Sequence, residues 1–344
     1  MPGTDRYLAE IPDYYPMKPV PGILFLILVI LVAACCCTGP AGNGTSVTSA
    51  SGSIGETVAS LPTTADTGGI PVGSSQYVFT DLQGNADRPI TVYTYRPASW
   101  NTSGPVLIVM HGAGRVAAPS RDVWVPYGDR YSFLIVAPEF SSQIYPGDSW
   151  YPGGNVMDER GNWQPQQNWT YTAVEHIFDD IRNRTGARQE TYLLFGLSAG
   201  GQFVHRLVTF LPDARYSRAV ASSAGVYAMP TYSVEYGFGL RGSPLREVDL
   251  PKVFARKMIV MVGGDDNDPN ASGLANFPAA EAQGSTRLER ANNYYATAQK
   301  EAQVRNVPLN WEFYIVPGVG HDEAGMAGPA AERLFAPEPG GAPA

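Results

Sequence analysis

The chain has 344 residues, of which 44% are hydrophobic and 16% are charged. That length and apolar fraction predict a globular domain with a large buried core, preceded by an N-terminal appendage. The net charge of −8, with no stretch that concentrates Lys and Arg, argues against a nucleic-acid-binding surface.

Residues 1–37 are interpreted as a signal or anchor segment. Residues 20–34 read VPGILFLILVILVAA, an uncharged apolar run shorter than the roughly 20 residues that a spanning helix needs. The run ends in Val32-Ala33-Ala34-Cys35, which resembles the lipobox of prokaryotic lipoproteins. That resemblance implies acylation of Cys35, which would become the mature N-terminus.

The residues before this apolar run are acidic, whereas the start of a signal peptide is typically basic. Translation from Met17, followed by Lys18, would supply a short basic start. A lipidated anchor and an uncleaved signal-anchor helix both remain open. Either one predicts a membrane-anchored protein at the cell surface, with its folded part outside the cytoplasm.

Residues 38–75 are rich in Gly, Ser, Thr, Ala and Pro, a composition that predicts a flexible linker. We expect the folded domain over 76–336 and a disordered tail over 337–344. All three cysteines are consecutive, at Cys35 to Cys37, so the folded domain has neither a disulfide scaffold nor a cysteine-ligated metal site.

Strand-like and helix-like segments alternate through the expected domain. Gln76–Leu82 and Ile90–Arg96 predict a hairpin, and continuous apolar runs predict strands that are covered on both faces. These strands are Val106–Met110, Phe133–Ala137, Thr191–Phe195, Ala219–Ser222, Met258–Val262 and Trp311–Val316. Helical spacing occurs in Ala173–Asn183, Gly201–Leu211 and Leu288–Val304.

This alternation predicts an α/β fold, with a mostly parallel central sheet and helices on both of its faces. Ligands of such sheets bind beyond the carboxyl ends of the strands. Residues that directly follow a strand are therefore the candidates for a functional site.

A candidate nucleophile follows the predicted strand Thr191–Phe195, in the sequence Gly196-Leu197-Ser198-Ala199-Gly200. A serine hydroxyl is a weak nucleophile unless it is held exposed beside a base, and a sharp strand-to-helix turn with small neighbours holds it so. The pattern alone is common in a chain rich in Gly and Ser, but its position between a strand and a helix favours the nucleophile at Ser198.

The same chemistry needs N–H donors for the oxyanion. The residue after the nucleophile, Ala199, supplies one backbone N–H. The other is expected from the sequence His111-Gly112-Ala113-Gly114, directly after a strand, which is similar to the oxyanion loop of esterases and lipases. There Gly112 and Gly114 let the chain curl so that the N–H of Ala113 or Gly114 faces the substrate, and His111 is expected to stabilise the loop.

The candidate base is His321, which lies in a loop just beyond the strand Trp311–Val316. His176 and His205 lie within predicted helices and are expected to be packing or surface residues. Three carboxylates, Asp265, Asp266 and Asp268, follow the strand Met258–Val262 and are candidates for the acid that orients the base.

The order serine, acid, histidine, with an oxyanion loop upstream, resembles the α/β-hydrolases over residues 76–335. The segments LFGLSAGGQFVHRLV and VPGVGHDEAGM are most similar to the branch of poly(3-hydroxybutyrate) depolymerases and feruloyl esterases. The resemblance implies a serine esterase that works through an acyl-enzyme, and it favours Asp266 as the acid, with Asp268 as the alternative.

The segment between Phe140 and Tyr171 is rich in aromatic residues and follows a strand, so we expect it on the rim of the site. Trp150, Trp163 and Trp169 are candidates for a platform that binds substrate, although a loop that packs on itself explains them equally well.

The sequence thus predicts an exported enzyme that cleaves a small or polymeric ester, with no metal and no cofactor. A serine peptidase of the prolyl-oligopeptidase type shares this fold and triad, but its usual propeller domain has no room in this chain. A surface binding protein that has lost catalysis is a further alternative.

Overall fold

The computed structural model describes residues 68–335, which contain one eight-stranded sheet. The expected anchor over 1–37 with Cys35, most of the linker over 38–75 and the tail over 337–344 lie outside the described residues. No helix within 68–335 has both the length and the apolarity that crossing a bilayer requires.

The strands follow one another in the sheet in the order β1-β2-β4-β3-β5-β6-β7-β8. Strands β3 to β8 are parallel to one another, while β2 runs antiparallel to both of its neighbours, β1 and β4. The strands are β1 (Gly73–Phe79), β2 (Ile90–Arg96), β3 (Val106–Met110), β4 (Leu134–Glu139), β5 (Tyr192–Leu197), β6 (Tyr216–Ser222), β7 (Met258–Gly263) and β8 (Trp311–Val316).

Helices connect the parallel strands and cover both faces of the sheet, as the alternating pattern predicts. They are α1 (Ala117–Tyr131), α2 (Gly147–Trp150), α3 (Thr170–Thr185), α4 (Ala199–Phe210), α5 (Leu250–Phe254), α6 (Pro278–Glu281), α7 (Arg287–Arg305) and α8 (Glu323–Leu334).

Strand side chains alternate between two hydrophobic cores, one on each face of the sheet. Ile108 and Leu194 belong to the first core, to which α3, α4 and α7 contribute. Leu107 and Phe195 belong to the second core, which α1 and α8 cover. Because both faces are buried, these strands appear in the sequence as unbroken apolar runs.

The predicted fold class is confirmed, and the six parallel strands and three helices lie within three residues of their predicted ends. Strand β1 begins at Gly73, three residues before the predicted start of the domain at Gln76 and within the predicted linker, and Gly73 pairs with Arg96. Strand pairing uses backbone groups, so a Gly- and Ser-rich composition does not prevent it.

Helices α1 and α8 have no counterpart among the predicted helices. Each contains a proline, Pro126 and Pro329, which disfavours a helix interior. Packing compensates for this, because α1 buries Trp124 and α8 buries Met326 against the second core. Packing against the second core therefore stabilises α1 and α8, and the local sequence pattern does not predict this packing.

The glycines at the start of α4 let this helix lie directly on the sheet. A Cβ at Gly201 would lie 2.3 Å from the backbone oxygen of Ser222, at the end of β6. Since a backbone oxygen cannot rotate away, an alanine there would push α4 off the sheet.

We expect Gly201→Ala to lower the free energy of unfolding by about 3 kcal/mol or more, because overpacking against backbone outweighs the gain of up to about 1 kcal/mol from replacing a helical glycine. Urea unfolding followed by circular dichroism measures this. Gly69→Ala is the matched control, since a Cβ there lies at an ordinary 3.5 Å from its nearest neighbour. Equal stability of the two variants would contradict the proposed close approach.

Candidate active site

Ser198 lies at a strained turn between β5 and α4. Its backbone has φ 60° and ψ −117°, a conformation that non-glycine residues rarely adopt. The Ser198 N–H donates to the Ser222 carbonyl at 3.0 Å, and the Ser198 carbonyl accepts from the Gln202 N–H at 2.9 Å. Both backbone groups of the serine are therefore fixed, as the strand-to-helix turn of the sequence pattern requires.

Two glycines, at positions 196 and 200, make this turn possible. A Cβ at Gly196 would lie 2.3 Å from the Gly200 carbonyl oxygen, and one at Gly200 would lie 2.1 Å from the Met110 oxygen. These distances leave no space for any side chain. They explain physically why the serine is flanked by glycine two residues away on each side.

The loop after β3 lies beside the serine. A Cβ at Gly112 would come within 3.9 Å of the Ser198 Cβ, and the Arg115 N–H closes a turn onto the Gly112 carbonyl at 3.1 Å. Ala113 and Gly114 are exposed at the tip of this turn. On the other side of the serine, Ala199 begins α4, and the first N–H groups of a helix have no acceptor within the helix.

His111 anchors this loop. Its Nε2 accepts from the Phe140 N–H at 3.1 Å, so Nδ1 carries the proton and donates to the Gly112 carbonyl at 3.0 Å. The ring stacks on Tyr151 at 4.3 Å, and the Tyr151 hydroxyl donates to the His111 carbonyl. Burial lowers the pKa of His111 to about 4, so the ring is neutral.

Arg115 fixes the loop from its other end, and the sequence pattern does not single it out. It has a positive φ of 56°, and its guanidinium donates to the carbonyls of Phe140, Tyr145 and Gly147. These bonds tie the loop after β3 to the segment after β4.

The structure brings Asp266 and His321 together. The His321 Nδ1–H donates to Asp266 Oδ2 at 2.8 Å, with the histidine side chain 27% exposed and the carboxylate 3% exposed. Asp265 and Asp268 are exposed, and Asp268 accepts the Asn270 N–H within its own turn. Of the three candidate acids, only Asp266 contacts the histidine within the described part of the chain.

A buried arginine lies on the other side of Asp266. Arg287 Nη1 is 3.3 Å from Oδ1, while His321 bonds Oδ2. Burial opposes ionisation of Asp266, but the hydrogen bond and charge of His321, with the charge of Arg287, outweigh it and lower the pKa of the carboxyl. The sequence gives no signal for Arg287, because it lies in α7, 21 residues beyond its partner.

Ser198 and His321 follow β5 and β8, so both lie at the carboxyl edge of the parallel sheet. Within residues 68–335, no hydrogen bond joins the serine hydroxyl to the histidine ring. Bonds between nucleophile and base are often long in free enzymes and tighten when substrate binds.

The remaining histidines have structural partners. His205 is fully buried, accepts the Ala228 N–H at Nε2 and donates from Nδ1 to the Gly201 carbonyl. His176 lies 2.8 Å from the buried carboxylate of Asp81. Across residues 68–335, no three His, Cys, Asp or Glu side chains are arranged to hold a metal ion.

The three candidate tryptophans differ in exposure. Trp169 is only 6% exposed and donates its N–H to the Gln164 carbonyl, so it is a packing residue and is not available to a substrate. Trp150 is half-buried under the Arg88 guanidinium. Trp163 is 44% exposed and packs its edge against Tyr236 at 4.8 Å, so it is the one of the three that faces solvent.

Strands in this order, with a serine at a strained turn after β5, are the architecture of an α/β-hydrolase. The chain belongs to the α/β-hydrolase superfamily, because two solved members match it at more than one-third sequence identity. No family model matches the chain, and a search of curated sequences finds no match.

The first of these structures is the poly(aspartic acid) hydrolase-1 from Sphingomonas sp. KT-1, with 36% identity and a TM-score of 0.75 over 77% of this chain and 100% of that one. The second is LpqC, a poly(3-hydroxybutyrate) depolymerase from Bordetella parapertussis, with 38% identity and a TM-score of 0.73 over 77% and 91%. A ferulic acid esterase also matches at 16% identity and a TM-score of 0.47, over 76% and 97%. The superfamily expected from the sequence is confirmed.

The buried neutral state of His111 predicts an acid-sensitive stability. The unfolded chain binds a proton at this residue near pH 6.5 and the folded chain near pH 4, so stability falls as the pH drops through that interval. In His111→Gln the amide oxygen can still accept the Phe140 N–H, but the titrating group is gone. Between pH 7 and pH 5 we expect the free energy of unfolding of this variant to fall by about 2 kcal/mol less than that of the parent.

Urea unfolding at the two pH values measures this difference. Tyr151→Phe is the control: it removes the hydrogen bond to the His111 carbonyl without removing a group that titrates in acid, so it should be less stable but keep the parent pH dependence. An unchanged pH dependence in His111→Gln would show that His111 does not carry the effect.

Proposed function

We propose that this chain is a serine hydrolase that cleaves a carboxylic ester, with Ser198 as nucleophile, His321 as base and Asp266 as the acid that orients the base. The observation that carries the proposal is the 2.8 Å bond between His321 Nδ1 and the buried Asp266 carboxylate, at the sheet edge where Ser198 occupies its strained turn. This bond fixes the tautomer that leaves His321 Nε2 free to accept a proton.

In this mechanism Ser198 Oγ attacks the ester carbonyl while His321 takes its proton. The oxyanion of the tetrahedral intermediate accepts the N–H of Ala199 and an N–H from the Gly112–Gly114 loop, with Ala113 as the expected donor. His321 then protonates the leaving alcohol, and the acyl group remains on Ser198. Water, activated by the same histidine, hydrolyses the acyl-enzyme and restores the serine.

The two solved relatives favour a polymeric substrate and differ in the bond that is cleaved. Poly(3-hydroxybutyrate) is joined by ester bonds, whereas poly(aspartic acid) is joined by amide bonds and is itself an anion. The net charge of −8 on this chain repels a polyanion and leaves a neutral polyester unaffected. This charge supports the ester as the substrate.

A second candidate is an amide-bond hydrolase, which the 36% identity to the poly(aspartic acid) hydrolase favours. It replaces the prolyl-oligopeptidase-type peptidase as the main alternative, and it uses the same nucleophile and base. The two candidates differ only in the leaving group that His321 must protonate.

The proposal also places the enzyme at the cell surface. The apolar run before Cys35 would provide a lipid anchor or a signal anchor, and residues 38–75 would act as the tether. A substrate too large to enter a cell is consistent with such a location, since a polymer must be cut where it lies.

The test of this function is hydrolysis of p-nitrophenyl acetate, butyrate and octanoate by the full chain. Ser198→Ala should lose at least about 10⁴-fold in kcat/KM while its circular dichroism is unchanged, because no other group attacks the carbonyl. The matched anilides and soluble poly(aspartic acid) separate ester from amide cleavage. Parent-like rates in Ser198→Ala would refute the serine mechanism, and faster anilide than ester turnover would favour the second candidate.

The three candidate acids make a further prediction. Asp266→Asn should lower kcat by about 10³- to 10⁴-fold, because an amide at this position disturbs the tautomer that His321 needs. Asp268→Asn, in an exposed turn, should change kcat less than about twofold. Steady-state kinetics with p-nitrophenyl acetate compares the two variants, and a large loss in Asp268→Asn alone would make Asp268 the acid.

A further inference from the structure

Asp266 has two partners of different kinds, one on each carboxylate oxygen. His321 bonds Oδ2, and the guanidinium of Arg287 lies 3.3 Å from Oδ1. Both side chains of the Asp266–Arg287 pair are only 3% exposed. A buried cation next to this carboxylate acts on it with little screening by water.

The remaining contacts of Arg287 are weak. Nη2 lies 3.3 Å from the Ser272 carbonyl, and the buried Nε has no partner within the described residues. A guanidinium that served only to hold loops together would be expected to use its donors on carbonyl groups. Arg287 leaves its Nε–H unused and directs its charge at the acid.

Arg290, three residues further along α7, shows what a loop-holding arginine looks like in this protein. It is 1% exposed, and its donors reach the carbonyls of Gly284, Gly225 and Ala275 at 2.6–2.8 Å. It makes no ion pair with Asp266. The two arginines have similar burial and share one helix, but only one of them contacts a catalytic group.

We propose that Arg287 is a positioning residue of the triad, which holds Asp266 ionised and keeps its Oδ2 directed at His321. The inference rests on the proposed serine mechanism. The proposed effect of Arg287 is electrostatic. Its guanidinium offsets the negative charge of Asp266 while His321 is neutral. Asp266 therefore attracts less strongly the proton that His321 takes from Ser198.

Within residues 68–335, the His321 ring and the Arg287 guanidinium contact the Asp266 carboxylate. The Ser223 hydroxyl lies near it, and the charge of Asp266 raises the pKa of the nearby Tyr227 phenol. Of these, only Arg287 carries a permanent charge. Removing that charge leaves the negative charge of Asp266 uncompensated beside His321, which favours protonation of the pair. The acid limb of the rate profile must then move to higher pH, by about one unit for an opposite charge at this distance.

The experiment is the pH profile of kcat/KM for p-nitrophenyl acetate, with the full chain and four variants. Arg287→Gln keeps a hydrogen-bond donor without the charge and should shift the acid limb upward by about one pH unit, so that kcat/KM falls about tenfold at pH values below the parent limb. Arg287→Lys restores the charge and should return the limb toward the parent position. Arg290→Gln is the matched control. Its kcat/KM should fall in acid at the same pH as that of the parent, even where its overall rate is lower.

The fourth variant, Ser198→Ala, separates the two proposals. Activity that persists in Ser198→Ala refutes the serine mechanism itself. If Ser198→Ala is inactive but the acid limbs of Arg287→Gln and Arg290→Gln lie at the same pH as that of the parent, only the role of Arg287 is refuted. A uniform loss of rate without a shift in Arg287→Gln also refutes it, because a merely structural arginine would behave so.

Should Arg287→Gln not fold alone, the stability of variants at Asp266 tests the same contact. Asp266→Asn leaves the Arg287 charge buried without a partner, so Asp266→Asn/Arg287→Gln should have a higher Tm than Asp266→Asn. A double variant no more stable than the single one would show that the two side chains are not coupled, and would overturn the inference.

Discussion

Ser198 holds its positive φ because the chain around it is packed more closely than any side chain would allow. Gly196 and Gly200 bring β5 and the start of α4 against β3, and Gly201 lets α4 approach β6. The strain costs on the order of 1–3 kcal/mol, and the large cores on both faces of the sheet offset it. The position of the serine hydroxyl is therefore set by backbone geometry, and the loop after β3 lies beside it.

Two buried histidines, His111 in the loop after β3 and His205 in α4, make hydrogen bonds of a different kind from those of His321. His111 and His205 each accept a backbone N–H at Nε2 and donate to a carbonyl from Nδ1, and burial lowers the pKa of both. A ring used in this way cannot take up a proton without breaking a hydrogen bond. His321 bonds a carboxylate and stays partly exposed, so environment assigns the same residue type to two different tasks.

The sequence predicted the parts of the fold that burial makes visible. Strands covered on both faces appear as apolar runs, and a serine or histidine just after a strand must lie at the carboxyl edge of the sheet. The strand pattern alone did not separate Asp265, Asp266 and Asp268, because a difference of one residue decides whether a carboxylate points into the protein; only the family resemblance favoured Asp266. The sequence also contained no sign of α1, which contains Pro126, or of the exposure that separates Trp163 from Trp169, since both depend on packing between distant segments.

Arg287 illustrates the same limit and also explains the electrostatics of the site. An ionised Asp266 beside a neutral His321 would leave an uncompensated charge in the interior, which is costly. The guanidinium in α7 removes that cost before any substrate binds. In the proposed mechanism, the positive charge that forms when His321 takes the serine proton lies on a side chain that is 27% exposed, whereas Asp266 and Arg287 are each 3% exposed. The interior charges of Asp266 and Arg287 therefore balance each other before any substrate binds, and under the proposed mechanism solvent as well as Asp266 would stabilise the charge that appears on His321.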